Sequence, residues 1–491
     1  MKFQRKSVFF KYLYGTTVHL PHAGFVGYTV IFAPLSLKKP NIRDLDARKW
    51  HHGCLDGMII MIWNMKKTFL NIAMMATAVL AMSACSSTKK ISENNSNDMT
   101  HLTADDDLDP EFMVLSDAQY DLVKRNNQFA LNLFSETKGL GSNVVSPMSV
   151  TYLMAMLANG AETTTRDEIM ATIGAKDFNI DEMNAFYAYL MKRAKTADKQ
   201  TTLNIANYIA LNKEFKLKKD YAATIGKCYQ GAVEALDFND GKSTQRINGW
   251  CSEHTDNMIP SIIDQVEPAA VAYIMNAIYF NGTWSEKFDK NDTKKEQFFG
   301  FTRDIKYVDM MHRNAKYYYT SNEVYSAVTL PYGSGAYSMT VLLPNDGKFV
   351  DDVKKCLNAD SIASLRRNME ECLVDLKLPR FTTEMKLSLK DIISKLGAPS
   401  MFDASRADFS SFANGNVYVS EMLQKAKIEV SEEGTKAAAV TMGMVKLTAI
   451  RPDEPRRVDF HCNRPFVYMI QDNYTGAILF MGQQDFGKLK D

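Results

Sequence analysis

The chain has 491 residues, 46% hydrophobic and 23% charged, an ordinary globular composition with ample material for a core. Lys and Arg number 58 against 57 Asp and Glu, a net charge of +1, so nothing in the balance calls for nucleic acid or an acidic surface as partner. The seven cysteines form no CxxC pair, and the odd number beyond Cys85 implies no complete disulfide framework.

Residues Met65 to Cys85 read MKKTFLNIAMMATAVLAMSAC: a short basic start, an apolar run, then small residues before a cysteine. This is a signal-peptide layout, too short for a comfortable membrane span. The small residues before Cys85 resemble the bacterial lipoprotein processing box, with Met82 where Leu is usual. The resemblance implies cleavage before Cys85 and acylation of its thiol. Residues 1–64 then read as an upstream extension from a start codon assigned too early, and 65–84 as the signal peptide. Residues 85–110 follow as the lipidated cysteine and a polar, flexible tether. From 111 to 491 the texture is uniformly globular, without an internal repeat or second linker, and reads as one domain.

Within it, residues 117–134 place Leu122, Val123, Phe129, Ala130, Leu133 and Phe134 on one helical face. Residues 143–161 predict a buried helix, apolar nearly all round, with Ser146 as cap, Pro147 in the first turn and Gly160 at the end. Thr165 and Glu168 have capping-box spacing for a helix that stops at Gly174. Strand texture follows at 203–211, 273–281, 337–344, 466–472 and 477–482. Helices first and strands later argue for a mixed α/β (α+β) domain on large, mainly antiparallel sheets.

Catalytic chemistry finds no footing. His254, His312 and His461 stand alone in the sequence, without HExxH or a metal-ligand cluster, so no metal and no cofactor is expected. Cys251 and His254 form an isolated C-x-x-H. Gly241-Lys242-Ser243 lacks the earlier glycine of a phosphate-binding loop, and no G-x-S-x-G elbow occurs. Lys213, Lys216, Lys218 and Lys219 read as a solvated face.

Residues 430–455, VSEEGTKAAAVTMGMVKLTAIRPDEP, suit a helix in the first half and a strand or loop in the second. No proline between Val430 and Arg451 forbids this backbone from joining a sheet.

The domain resembles the serpin family along its length. The resemblance is carried by Asn143-Val-Val-Ser146-Pro147-Met-Ser149, by Asn276-Ala-Ile-Tyr-Phe-Asn-Gly-Thr-Trp284 with Phe288, and by Leu378-Pro379-Arg380-Phe381 and Leu396-Gly397. Ala407-Asp408-Phe409-Ser410, Asn463-Arg464-Pro465-Phe466 and Phe480-Met481-Gly482 add to it. It implies three β-sheets, eight or nine helices and an exposed reactive-centre loop.

That resemblance makes residues 430–455 the reactive loop, with Glu432, Gly434, Thr435, Ala437, Ala438 and Ala439 as its hinge. It implies an irreversible suicide-substrate inhibitor of serine proteases, and of cysteine proteases too, acting as a monomer. A protease cuts the loop, an acyl-enzyme forms, and the freed loop enters the central sheet as a new strand. Thr435, Ala437, Ala439 and Thr441 would face the core, and all are small. Inserting ~14 residues at ~3.3 Å each carries the cut end roughly 45 Å.

The family's usual register, sixteen residues from Glu432, implies the attacked bond Thr448–Ala449, with Lys446, Leu447 and Arg451 as alternatives. The expected targets are trypsin-, chymotrypsin-, elastase- or subtilisin-like. The resemblance also implies that Asn143, Ser146, Ser149, Asn276 and Gln424 form the region where the sheet opens. Gln424 stands where the family often has a His and is expected to hydrogen-bond Asn276 or Ser149, without the pH dependence of a His. The alternative is a non-inhibitory binding or scaffold protein of the same fold. Export to the outer membrane through the lipid on Cys85, or secretion, completes the expectation.

Overall fold

Ser116 closes the start of the first predicted helix as a capping box. Its hydroxyl accepts from the Gln119 amide at 3.3 Å, and the Gln119 side chain accepts from the Ser116 amide at 2.9 Å. In the computed structural model the described residues are 17–18, 30–31, 114–137, 141–302, 304–435 and 455–486. They belong to two units, 1–97 and 98–491. In the first, β1 (Thr17–Val18) pairs antiparallel with β2 (Val30–Ile31). Everything below concerns the second.

Its elements run α1 (Asp117–Glu136), β3 (Asn143–Val145), α2 (Pro147–Gly160), α3 (Thr163–Thr172), α4 (Ile180–Ala194), β4 (Thr201–Asn212), α5 (Lys219–Tyr229), β5 (Ala232–Leu236), α6 (Lys242–His254) and β6 (Ala272–Thr283). Then come β7 (Lys294–Phe299), β8 (Ile305–Ser321), β9 (Tyr325–Tyr332), β10 (Tyr337–Pro344), α7 (Val350–Cys356), α8 (Ala359–Arg367), β11 (Glu370–Pro379), β12 (Phe381–Ser388) and α9 (Lys390–Leu396). The last are β13 (Leu423–Ser431), β14 (Gly434–Thr435), β15 (Arg457–His461), β16 (Phe466–Asp472) and β17 (Ile478–Gln484). Each strand segment read from the sequence lies in a strand to within one residue.

A six-stranded sheet has the order β12-β13-β14-β6-β4-β5. A nine-stranded sheet runs β15-β11-β8-β9-β10-β16-β17-β3, with β7 also on β8. The long β8 pairs with β7 and β11 over most of its length and with β9 only from Tyr318 to Ser321. The three expected sheets thus appear as the six-stranded sheet and two lobes of a continuous larger one. The described residues contain nine α-helices.

Helix α2 packs against β6 of one sheet and β17 of the other. That position explains why every residue of α2 except Asn159 is buried. Ser146 holds the cap position, but its hydroxyl donates to the Leu479 carbonyl at 2.9 Å rather than capping the helix. The expected capping box at Thr165 is not formed. Helix α3 starts three residues earlier, with Glu162 at the cap position, and Thr165 instead accepts from the Asp408 amide at 3.0 Å while Glu168 accepts from the Ser400 amide at 2.8 Å. Tertiary partners took the groups that local geometry offered to the helix end. The five described cysteines are free thiols. No helix among the described residues is long and apolar enough to cross a membrane.

Candidate functional site

Strand β13 ends at Ser431, the chain turns through Glu432 and Glu433, and β14 returns antiparallel with Gly434 opposite Ser431. On its other side β14 pairs with β6, Gly434 against Thr283 and Thr435 against Gly282. Among the described residues no backbone pairing joins β6 directly to β13. The two hinge residues therefore hold the first positions of a strand between them. With one strand intervening, β6 and β13 stand about 9.6 Å apart there, twice the normal spacing.

The segment after β6 clamps the turn. The Trp284 amide donates to the Glu433 carbonyl at 2.9 Å and the Phe288 amide to the Glu432 carbonyl at 3.0 Å. The Trp284 indole donates to the Ser431 carbonyl at 2.8 Å. The Glu432 side chain, only 2% exposed, accepts from the Arg380 guanidinium and from the Thr293 hydroxyl at 2.7 Å. Burial pushes its carboxyl up, but Arg380 and Thr293 outweigh burial and hold it below the ordinary 4.5. Glu433 takes Lys287 at 2.7 Å and Lys290 at 3.0 Å, and these hold its carboxyl low as well.

Gly434 has φ +147, and a Cβ there would lie 2.1 Å from the Gly282 carbonyl oxygen and 2.8 Å from Thr283 Cα. Only glycine lets the turn enter against β6 this closely. Thr435 is 1% exposed and shares a 2.6 Å hydrogen bond with the Tyr332 hydroxyl. Burial pushes the Tyr332 phenol far up, so it stays neutral. Tyr332 in turn stacks on Trp284 with ring centroids 4.4 Å apart.

Farther along the sheet the expected sheet-opening residues are mostly brought together, in a different pattern. Gln424 reaches neither Asn276 nor Ser149. Its amide donates to the Ser146 carbonyl at 2.8 Å, and its oxygen accepts from the Ser146 amide at 3.2 Å. Ser149 contacts the Asn276 carbonyl at 3.4 Å, and the Asn276 side chain donates to Asn207 at 2.7 Å. The physical reason is the wide spacing: β6 and β13 each fasten to the start of α2, not to each other. The Asn276 Oδ1 atom is buried without a hydrogen-bond partner among the described residues. Asn143 stands apart on β3, contacting Thr137 at 3.4 Å and accepting from the Gln483 amide at 3.3 Å.

Ala437, Ala438, Ala439, Lys446, Leu447, Thr448, Ala449, Arg451 and the lipidation candidate Cys85 lie outside the described residues. Sequence reasoning missed Thr293, Lys287, Lys290 and Tyr332, and quoted Arg380 and Trp284 without a role. The single signal available was the acidic pair Glu432-Glu433, which in a buried turn demands cations.

The histidines need one correction. His254 does stay apart, its Nδ1 on the Trp250 carbonyl at 2.9 Å beside the buried Cys251, whose thiol burial pushes up to about 12. His312 and His461 do not stand alone, because strand pairing brings both to Asp375. Lys213 pairs with Asp237 at 2.7 Å, while Lys216, Lys218 and Lys219 are exposed, as a solvated face requires.

Comparison with known proteins adds a family. The family model described as serpin (serine protease inhibitor) matches residues 124–484. Human Serpin B3 is 31% identical over 389 residues, covering 74% of this chain and 98% of that protein. An uncharacterized serpin-like protein of Thermococcus kodakarensis is 29% identical, covering 76% and 89% respectively. Among solved structures, the thermophilic serpin tengpin in its native state superposes with a TM-score of 0.68 at 28% identity, covering 76% of this chain and 95% of that one. Human thyroxine-binding globulin complexed with its hormone gives 0.67 at 25% identity, covering 74% and 98%.

Proposed function

The chain belongs to the serpin family, and from that premise we propose that it is a suicide-substrate inhibitor of serine proteases. Cysteine proteases that cut the same loop are further targets. As a serpin it is a non-catalytic protein and uses no active-site chemistry of its own. The observation that carries the proposal is the seating of Gly434 and Thr435 between β13 and β6.

That register can be continued. In an inserted loop each residue beyond Thr435 would meet one residue earlier on β6, which would put Thr441 opposite Asn276 and Val445 opposite Ala272, the first residue of β6. On the other side Thr441 would fall opposite Gln424. Residues 434–445 thus match the length of β6, and the side chains facing the core would be Thr435, Ala437, Ala439, Thr441, Gly443 and Val445. None exceeds valine in size. Thr441 would bring a hydroxyl to the buried Asn276 Oδ1, which lacks a donor. Insertion would thereby give that oxygen a donor.

Cleavage after Lys446, Leu447 or Thr448 leaves this whole stretch on the inserting side, so Thr448–Ala449 and the two bonds before it all serve. We extend the reading to export, with Cys85 acylated and the chain held at the outer membrane by its lipid. The pattern of Met65 to Cys85 supports that part, and Cys85→Ser should move the protein from the membrane to the soluble fraction.

The test of inhibition is to mix the protein separately with trypsin, chymotrypsin, elastase and subtilisin and run denaturing gels. A band at the summed mass, and a loop-cleaved form far more heat-stable than the intact chain, are expected. Clean cleavage without the band, and without a gain in stability, would favour a carrier of the same fold, as thyroxine-binding globulin is for its hormone.

A further inference from the structure

Strands β8, β11 and β15 bring together residues that the sequence scatters. In the parallel pair β11–β15, Asp375 lies opposite Asp459 and Lys377 opposite His461. In the antiparallel pair β11–β8, Lys377 lies opposite His312. Alternate residues of a strand share a face, so all five side chains stand on one side of the sheet. One Asp375 oxygen meets His312 Nε2, and the other lies 3.2 Å from His461 Nε2. Ligand atoms of Asp375, Asp459 and His461 lie within 4.8 Å of one another. Lys377 is turned aside to Glu296, with contacts of 2.8 and 3.0 Å.

We propose that Asp375, Asp459 and His461 bind one divalent transition-metal ion of the zinc class, with His312 holding the free oxygen of Asp375. Two carboxylates facing each other across paired strands repel unless a cation lies between them. The two carboxylates supply two negative charges, matching one divalent ion. Imidazole beside carboxylate suits zinc, cobalt or nickel, whereas calcium and magnesium take oxygen ligands. Ligands about 2.1 Å from a tetrahedral ion are roughly 3.4 Å apart, so small side-chain rotations close the site. Ligating carboxylates are themselves hydrogen-bonded by outer groups, and His312 supplies that contact to Asp375. All three ligands are at least partly exposed, which leaves an entry path.

The location gives the ion a purpose. Strand β15 is the end of its sheet, five residues long, and begins just after residues 436–454. Two ligands come from β15 and one from β11, its only neighbour among the described residues, so the ion clips β15 to β11. This site does not depend on the inhibitor reading.

The experiment uses the full chain, stripped with EDTA and titrated with zinc by calorimetry and with cobalt by visible absorption. Asp459→Asn, His461→Gln and a control, His254→Gln, are compared. The parent and the control should bind one ion more than the other two, or bind it at least about tenfold more tightly. A tetrahedral cobalt band should follow the same division. Zinc should slow amide exchange at residues 457–461 in the parent and the control but not in the other two proteins. Equal stoichiometry and affinity in all four proteins would assign the metal to other histidines, such as His51 and His52, and overturn the proposal. Failure to bind zinc at micromolar concentration, or displacement by calcium, would overturn it equally.

Discussion

The two ends of segment 436–454 are held in opposite ways. At the leading end, β14 has a strand on each side, and the carbonyls of Ser431, Glu432 and Glu433 all accept hydrogen bonds from Trp284 and Phe288. At the trailing end, β15 has one neighbour among the described residues, and of its five residues only Phe460 is buried. The leading end is already part of a sheet, so the strand that insertion would extend needs no new nucleus. The trailing end is an edge strand, weakly held by backbone pairing and dependent on its side chains.

Breaking the leading end should have the largest effect. Thr435→Arg would place a guanidinium in a site now 1% exposed, beside a neutral tyrosine. An unpaired buried charge costs roughly 3–5 kcal/mol, so β14 should unseat, and gels with any cleaving protease should lose the denaturant-resistant band. Gly434→Ala is next. Its Cβ meets the Gly282 carbonyl at 2.1 Å, and with the backbone in a glycine conformation the loss should be about 1–3 kcal/mol in denaturant melts of the intact chain.

Glu432→Gln removes a charge-assisted bond of the clamp. Such bonds contribute about 1.5–3 kcal/mol, and with Arg380 47% exposed the lower end is expected. The pH dependence has a definite sign. Glu432 titrates below its ordinary 4.5 in the folded state. Its contribution is therefore complete above that value and disappears as pH falls through the lowered one. Urea midpoints measured downward through pH 4.5 should fall more steeply for the parent than for Glu432→Gln.

Thr441→Val sharpens the comparison at the least cost. The intact chain should melt as the parent does, while the loop-cleaved form should lose about 1 kcal/mol, the worth of one hydrogen bond. An equal effect on both forms would contradict the register continued from β14.

The elements were largely legible in the sequence. The strand texture at 337–344 and 466–472 became strands with those ends, buried along their whole length. The cap at Thr165 was misread, because a hydroxyl with helix-start spacing accepts instead from two donors across the fold, the Asp408 amide and the Ser400 hydroxyl. At the hinge, residue size and the glycine could be read in order along the chain, but not what they touch.

By itself the sequence determined the alternation of helices and strands, the small residues of the hinge and the resemblance that placed the loop. The tertiary structure decided the partners: Arg380 and Thr293 for Glu432, Tyr332 for Thr435, Ser146 for Gln424, and Asp375 for two histidines. The physical reason is separation along the chain. Periodicity records which face of an element is buried, whereas a contact between strands 52 to 278 residues apart depends on strand order and register, which no local pattern encodes.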